Sequence, residues 1–313
     1  MKLMIQVPCF NEARTLPDVL RDLPKALAGF DSVEVLVIDD GSSDGTADVA
    51  RQGGADHVVR LPENRGLATA FGRGLQECLR LGADVIVNTD GDNQYQAEDI
   101  PHLLRPVVDG KADMVVGDRR IDTIPHFSAL KKRLQKMGSW VVRWASGTGV
   151  SDATSGFRAL SREAAMQLVV FSSYTYTLET IIQAGRKGLV VASVPVRTNP
   201  QQRESRLIRS LPIYLVQSAI TILRIFIMYE ALRVFLTLGT LPFLAGVALV
   251  ARFFYFYMIG DGAGHVQSLV IAALLVVLGV QTFLLGLLAD LIARNRHLSE
   301  ETNYRLKKIE FGR

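Results

Sequence analysis

The chain has 313 residues, 49% of them hydrophobic, and its 35 Lys and Arg against 31 Asp and Glu leave a formal charge of +4. That composition excludes a disordered chain, and two cysteines, Cys9 and Cys78, exclude a disulfide scaffold. A mean hydropathy of +0.21 with the long apolar runs gathered after Pro212 argues against a wholly soluble protein. The modest charge, with no stripe of Lys and Arg interleaved with aromatics evident in the first 200 residues, gives no support to nucleic-acid binding.

The amino-terminal stretch Leu3 to Val7 is interrupted by Gln6 and ended by Pro8, too short for the apolar core of about 7–15 residues that an export signal needs. It is predicted to be a buried first strand, with the globular part on the cytoplasmic side. Further strand-length apolar runs begin at Val33, Val85 and Asp113. Between them lie stretches of helical period, TLPDVLRDLPKAL, TADVARQ and ATAFGRGLQECLRL. Strands alternating with helices predict a mostly parallel sheet flanked by helices, whose ligands bind at the carboxyl ends of the strands.

From Leu207 to Met228 the chain is apolar but holds Pro212, Gln217 and Arg224, which predicts an interfacial helix rather than a third span. Val234 to Val250, continued past Arg252 by FFYFYMI, and Leu269 to Leu288 are predicted to be membrane spans. The second run is about 30 Å long as a helix, the thickness of a bilayer core. Arg203, Arg206, Arg209, Arg224 and Arg233 precede the pair and Arg294, Arg296, Arg305, Lys307, Lys308 and Arg313 follow it. The connecting loop, residues 260–267, has neither Lys nor Arg. The positive-inside rule then places both ends in the cytoplasm, at a cell's inner membrane. The expected organisation is a catalytic domain over 1–206, an interfacial helix over 207–230, a two-helix hairpin over 231–294 and a basic tail over 295–313.

The polar motifs fall at the strand ends. VPCFNEART follows the first strand and VIDDGSSDGT ends the second. Neither holds a dinucleotide-binding glycine pattern, and no P-loop pattern occurs. Asp40, Ser42, Asp44 and Gly45 imitate a calcium loop, but Arg51 stands where the bidentate Glu is needed. Asp39 and Asp40 taken alone could be helix-capping residues. In VIVNTDGDNQY, Asp90 and Asp92 leave an apolar strand one residue apart, with Gln94 just beyond. Two such carboxylates can aim at one point, and hard oxygen ligands suit Mg²⁺ or Mn²⁺ bridging substrate phosphates.

Together VPCFNE, VIDDGSSDGT, ENRGLATA, TDGDNQ, VVGDRR, DATSGFR and RESRL resemble the family 2 glycosyltransferases of GT-A fold. Within them the set is similar to the dolichol-phosphate mannose synthases and related polyprenyl-phosphate glycosyltransferases, over residues 3 to 210. The resemblance implies that Pro8, Asn11, Glu12, Asp39 and Asp40 line a nucleoside pocket with Asn64 and Gly66 near the base. It implies that Asp90, Asp92 and Gln94 hold Mg²⁺ or Mn²⁺ on the diphosphate. Arg119 and Arg203, with Ser205 and Arg206, would hold donor and acceptor phosphates. For Arg206 a purely topological charge is the alternative. Lys132, Arg133, Ser155 and Arg158 would serve the acceptor, although a structural turn explains DATSGFR nearly as well. LKKRLQKMGS departs from the family's acceptor helix, with Gln135 where Ser is expected, and Glu204 stands where a small residue or Pro is common.

The implied partners are a UDP- or GDP-sugar, a polyprenyl phosphate and the membrane, with a homo-oligomer left open. A lipid monophosphate is already an anion and needs no general base, so direct inverting displacement is expected. The alternative is a hydroxyl acceptor on a glycolipid or glycan, which requires a base. Glu179 is the acid to watch for that role, although its apolar helical neighbours favour a structural one. The QxxRW pattern of processive synthases is absent, since Trp140 replaces its Gln before Arg143 and Trp144.

Overall fold

The computed structural model describes residues 1–120, 129–170, 176–200, 211–260 and 266–312. They fall into two units, Met1–Tyr214 with Glu301–Arg313, and Leu215–Glu300.

In the first unit, β1 (Lys2–Cys9), β2 (Ser32–Asp39), β3 (His57–Arg60), β4 (Val85–Asn88), β5 (Met114–Asp118), β6 (Arg158–Ser161) and β7 (Val191–Pro195) form one sheet. Their order is β3-β2-β1-β4-β6-β5-β7. All pairings are parallel except those of β6, which runs against both β4 and β5. Strand periodicity divides β1 between two faces. Leu3, Ile5 and Val7 join Val35 and Val37 in a core closed by Leu16, Val19 and Leu20 of α1 (Leu16–Asp22) and Leu103 and Leu104 of α4 (Ile100–Val108). On the other face, Gly74 of α3 (Leu67–Arg80) sits against Gln6 and Ile38, leaving no room for a side chain of its own.

β1 and β2 end level, Cys9 beside Asp39, and Gln6 of β1 lies beside Asn88 at the end of β4. Gln6 Nε2 donates to Asn88 Oδ1 at 2.9 Å, locking this register with a polar pair inside an apolar sheet. Three strand exits therefore open at one edge, where the acidic loops lie. α2 (Thr46–Gln52) follows the second loop, and α5 (Ala129–Ser146), α6 (Arg162–Gln167) and α7 (Thr177–Arg186) complete the helices of this unit before its carboxyl-terminal segment.

The second unit is built on α8 (Leu211–Ile259) and α9 (Val266–Phe311). α8 is broken at Glu230, whose φ of −131° and ψ of 33° leave the helical region, and Glu230–Ile259 and α9 are each long and apolar enough to cross a membrane. Glycines let them pack closely: a Cβ on Gly279 would fall 2.6 Å from Phe243, and one on Gly246 2.8 Å from Val276. Arg252, the awkward charge in the first apolar run, lies over the Phe256 ring at 5.6 Å. The side chains on which an interfacial placement of 207–228 depends lie outside the described residues.

The expected basic tail is helical, and its end is part of the first unit. Tyr304 Oη donates to Glu163 Oε1 at 2.6 Å, Lys307 Nζ donates to the Leu168 carbonyl at 2.8 Å, and Arg162 donates to the Phe311 carbonyl. Burial, and then the neighbouring Lys187, lower the Lys307 ammonium to about 8.

Candidate active site

The loop after β1 and the loop after β2 hold each other. Asn11, in the left-handed region at φ 53°, accepts from the Ser43 N–H, and its own N–H meets Ser42 Oγ at 2.8 Å. The Glu12 N–H reaches Thr46 Oγ1 at 3.0 Å. Thr15 Oγ1 donates to Glu12 Oε2 at 3.0 Å and to the Gly91 carbonyl at 2.7 Å, tying the first loop to the third. Pro8 is buried at the end of β1 and Asn64 is exposed.

The two aspartates after β2 differ in what their oxygens do. Asp40 is buried and accepts the N–H groups of Arg65 and Gly66 at 2.9 and 2.8 Å, so it shapes the turn that was expected near a base. Burial raises its pKa, and those two N–H bonds pull the other way. Asp39 is fully buried; Oδ1 takes the Ser42 N–H at 2.9 Å, while Oδ2 has no hydrogen-bond partner among the described residues and faces Arg60 Nε at 3.4 Å. Buried carboxylate oxygens are costly without a donor, so this atom is set to accept an N–H or O–H from a ligand.

After β4, Asp90 and Asp92 share the turn with Asn93, whose φ is 57°. Asp92 Oδ1 accepts the Gln94 N–H at 3.2 Å, and the Gln94 carbonyl accepts the Asn199 N–H at 2.9 Å. Burial first, and then the charge of Asp92, push Asp90 up to about 7. Gly156 is pressed against Asp90: a Cβ there would lie 2.8 and 2.9 Å from its carboxylate oxygens. Two mutually repelling carboxylates fit a hard divalent cation, which would keep its remaining positions for water and substrate phosphate. Among the described residues no group of three or more His, Cys, Asp or Glu side chains forms a ready-made cage, so the pair would hold Mg²⁺ or Mn²⁺ only in part.

Gly156 is itself pinned by residues that sequence reading passed over. Its N–H donates to Tyr95 Oη at 3.0 Å, and its carbonyl accepts from Asn88 Nδ2 at 2.7 Å, which also reaches Tyr176 Oη at 3.0 Å. The available signal was a lone amide, Asn88, ending an otherwise apolar strand.

Arginine placement corrects two expectations. Arg119 Nε and Nη2 meet Asp152 Oδ2 and Oδ1 at 2.7 and 2.9 Å, and Nη2 also donates to Thr154 Oγ1 at 2.7 Å. Its fork is turned to a buried carboxylate rather than to phosphate. Burial would raise Asp152, but the Arg119 guanidinium outweighs it and holds the carboxyl below the usual range. Arg158 is fully buried, with Nε on the Ser155 carbonyl at 2.9 Å, Nη1 on Thr180 Oγ1 at 2.5 Å and Nη2 on the Thr177 carbonyl at 2.8 Å. It is an internal clamp between DATSGFR and α7, not an acceptor ligand. Ser155 is likewise buried, 3.5 Å from Tyr95 Oη, and Glu179 is buried in α7. Arg203, Ser205 and Arg206 lie outside the described residues.

On α5, Lys132 is half-buried and Arg133 exposed. The helix also corrects the reading that the first 200 residues hold no basic and aromatic stripe. Arg133, Lys136, Trp140, Arg143 and Trp144 are all on its exposed side. Spacings of three and four residues conceal such a stripe in the linear sequence.

The Glycosyl transferase family 2 model matches residues 4–169, and the GtrB C-terminal hairpin model matches residues 232–294. The undecaprenyl-phosphate mannosyltransferase of Micrococcus luteus is 31% identical over 206 residues, 63% of this chain and 83% of that protein. The polyprenol monophosphomannose synthase of Mycolicibacterium smegmatis is 30% identical over 206 residues, 62% of this chain and 76% of that one. Glucosyl-3-phosphoglycerate synthase of Mycobacterium tuberculosis, crystallised with Mn²⁺, UDP-glucose and phosphoglyceric acid, shares the fold at a TM-score of 0.57 and 22% identity, covering 72% of this chain and 79% of that chain.

Proposed function

The chain belongs to glycosyl transferase family 2, and from that membership we propose that it transfers a hexose from a nucleotide-diphosphate sugar to a polyprenyl phosphate, with inversion, at the cytoplasmic face of a membrane. The observation that carries this reading is the Asp90 and Asp92 pair at the exit of β4, with the bare Cα of Gly156 against the Asp90 carboxylate. Relatives whose names specify undecaprenyl phosphate and polyprenol as acceptors support the lipid. So do the two apolar helices.

Asp39 Oδ2 accepts a donor of the nucleoside, while Asp40 holds the turn at Arg65 and Gly66 against it. Asp90 and Asp92, with Gln94, would hold Mg²⁺ or Mn²⁺, which would supply neutralisation of the negative charge that develops on the nucleoside diphosphate. The acceptor is already anionic near neutral pH. One of its phosphate oxygens forms the bond to the anomeric carbon as the bond from that carbon to the donor's β-phosphate oxygen breaks, with no proton to remove. Burial of Glu179, the acid best placed in sequence to act as a base, favours this over a hydroxyl acceptor. With Arg119 and Arg158 engaged internally, the cations for the lipid phosphate are Lys132, Arg133, Arg203 and Arg206, with Ser205.

Membranes containing the full chain, incubated with a panel of labelled UDP- and GDP-sugars, undecaprenyl phosphate and Mg²⁺ or Mn²⁺, should yield a labelled glycolipid. Failure with every donor would overturn the acceptor assignment.

A further inference from the structure

The turn that carries Asp90, Asp92 and Gln94 leaves β4, yet it is braced by a residue that follows β7, and β6 and β5 stand between those two strands. Asn199 donates its N–H to the Gln94 carbonyl at 2.9 Å. Its Nδ2 reaches the Asn93 carbonyl at 3.0 Å, Asn93 Oδ1 at 3.3 Å and the Tyr95 carbonyl at 3.4 Å. Three consecutive residues, Asn93, Gln94 and Tyr95, therefore turn their carbonyls to one asparagine 106 positions beyond the first of them. The neighbours of Asn199 hold it in place. Thr198 forms an antiparallel bridge with Tyr95, and the Arg197 carbonyl accepts the Gln96 N–H at 3.5 Å. The Arg197 N–H and Nε meet Oδ2 and Oδ1 of buried Asp99 at 2.6 and 3.0 Å.

What this brace controls is a backbone conformation. Asn93 stands at φ 57°, a left-handed geometry that is uncommon outside glycine and persists where the surroundings fix it. It separates Asp92 from Gln94, so its torsions set the direction in which each of them projects. Gln94 is held on both sides, its N–H on Asp92 Oδ1 at 3.2 Å and its carbonyl on the Asn199 N–H. A small hard cation demands near-ideal ligand geometry, and groups that orient its ligands govern its affinity almost as strongly as the ligands do. We infer that Asn199 is a positioning residue for the metal turn. It is not a ligand; it keeps Asn93 left-handed and so locks the backbone from which Asp92 and Gln94 project. This rests on Asp90, Asp92 and Gln94 holding a divalent cation, as proposed above, and adds to them a determinant from the far edge of the sheet.

The full chain in nanodiscs is titrated with Mn²⁺ in the presence of UDP and, separately, GDP. Free Mn²⁺ is counted by its electron paramagnetic resonance signal, and Asp92→Asn serves as the blank. Asn199→Ala removes Nδ2 and keeps the backbone N–H; Mn²⁺ affinity should fall roughly 10–100-fold. Glycolipid formation lost at limiting Mn²⁺ should return in this variant at saturating Mn²⁺, a recovery that a damaged fold would not show. Arg197→Gln loosens the same segment through Asp99 and spares every bond of Asn199, so it should lower the melting temperature and leave Mn²⁺ affinity as in the parent. Asn93→Gly can reach φ 57° but no longer prefers it, and should weaken Mn²⁺ binding in the same direction; it decides the matter should Asn199→Ala not fold. Parent-like affinity in the Asn199 and Asn93 variants would overturn the positioning role alone, and so would an equal loss in Arg197→Gln. A parent that binds no more Mn²⁺ than Asp92→Asn would overturn the metal site itself and this role with it.

Discussion

Asp152→Asn tests whether the DATSGFR segment is anchored by charge. The substitution preserves shape but leaves the Arg119 guanidinium, its side chain 7% exposed, without the anion that receives Nε and Nη2. Thr154 Oγ1 is the remaining side-chain partner of Nη2, and its own bond to Asp152 Oδ1 at 2.9 Å is perturbed as well. Removing one partner of a buried pair costs about 3–5 kcal/mol, chiefly because the survivor stays desolvated. Against a total of about 5–15 kcal/mol that is a large fraction, equivalent to a melting point lower by roughly 6–20 °C for a unit of this size. Asp152 lies four residues before Gly156, so turnover should fall with it. The pair's contribution is fully present above the unfolded aspartate value of about 3.9 and is lost as the pH falls through the depressed folded value, so the deficit should be constant across neutral pH.

Dye-reported thermal unfolding of full-length protein in nanodiscs measures the loss. The double variant Arg119→Met, Asp152→Leu separates charge from packing. It should recover most of the stability, because no orphan ion remains. An Asp152→Asn protein within about 0.5 kcal/mol of the parent, the range of an ordinary surface change, would refute the reasoning.

Other consequences are as direct. Asp92→Asn should abolish glycolipid formation while membrane insertion, followed by carbonate extraction, is unchanged; full activity would remove the metal role. Gly156→Ala, whose methyl would contact both Asp90 oxygens, should cost about 1–3 kcal/mol in overpacking and weaken Mn²⁺ binding in a direct titration. Tyr304→Phe removes the bond to Glu163 and should cost about 1 kcal/mol in thermal unfolding. Lys307 binds its proton less tightly folded than unfolded, so between about 8 and about 10.4 stability should rise with pH, and Lys307→Met should flatten that rise.

What the sequence disclosed, and what it withheld, divide along a physical line. Apolar runs of strand length gave β1, β2, β4 and β5 because a buried parallel strand must be apolar on both faces. Acidic groups just beyond such strands could be read as a site because topology brings strand exits to one edge. β6 escaped notice because its first residue is Arg158, and a charge inside a central strand is tolerated only when carbonyls and hydroxyls from distant segments receive every N–H in use. The Ser155 and Ala153 carbonyls are within five residues of Arg158, but Thr177 and Thr180 come from α7, about twenty residues on, and no local pattern announces them. Arg119 misled in the same way: its sign was legible, its partner was not. Lys and Arg are counted in a sequence as if facing water, yet whether a guanidinium meets a phosphate or an internal carboxylate depends on what the fold sets beside it. α5 is the converse case, since its tryptophans would pass for core by composition alone. Their exposure is decided by which side of the helix packs on the domain, and helical spacing alone does not announce that side.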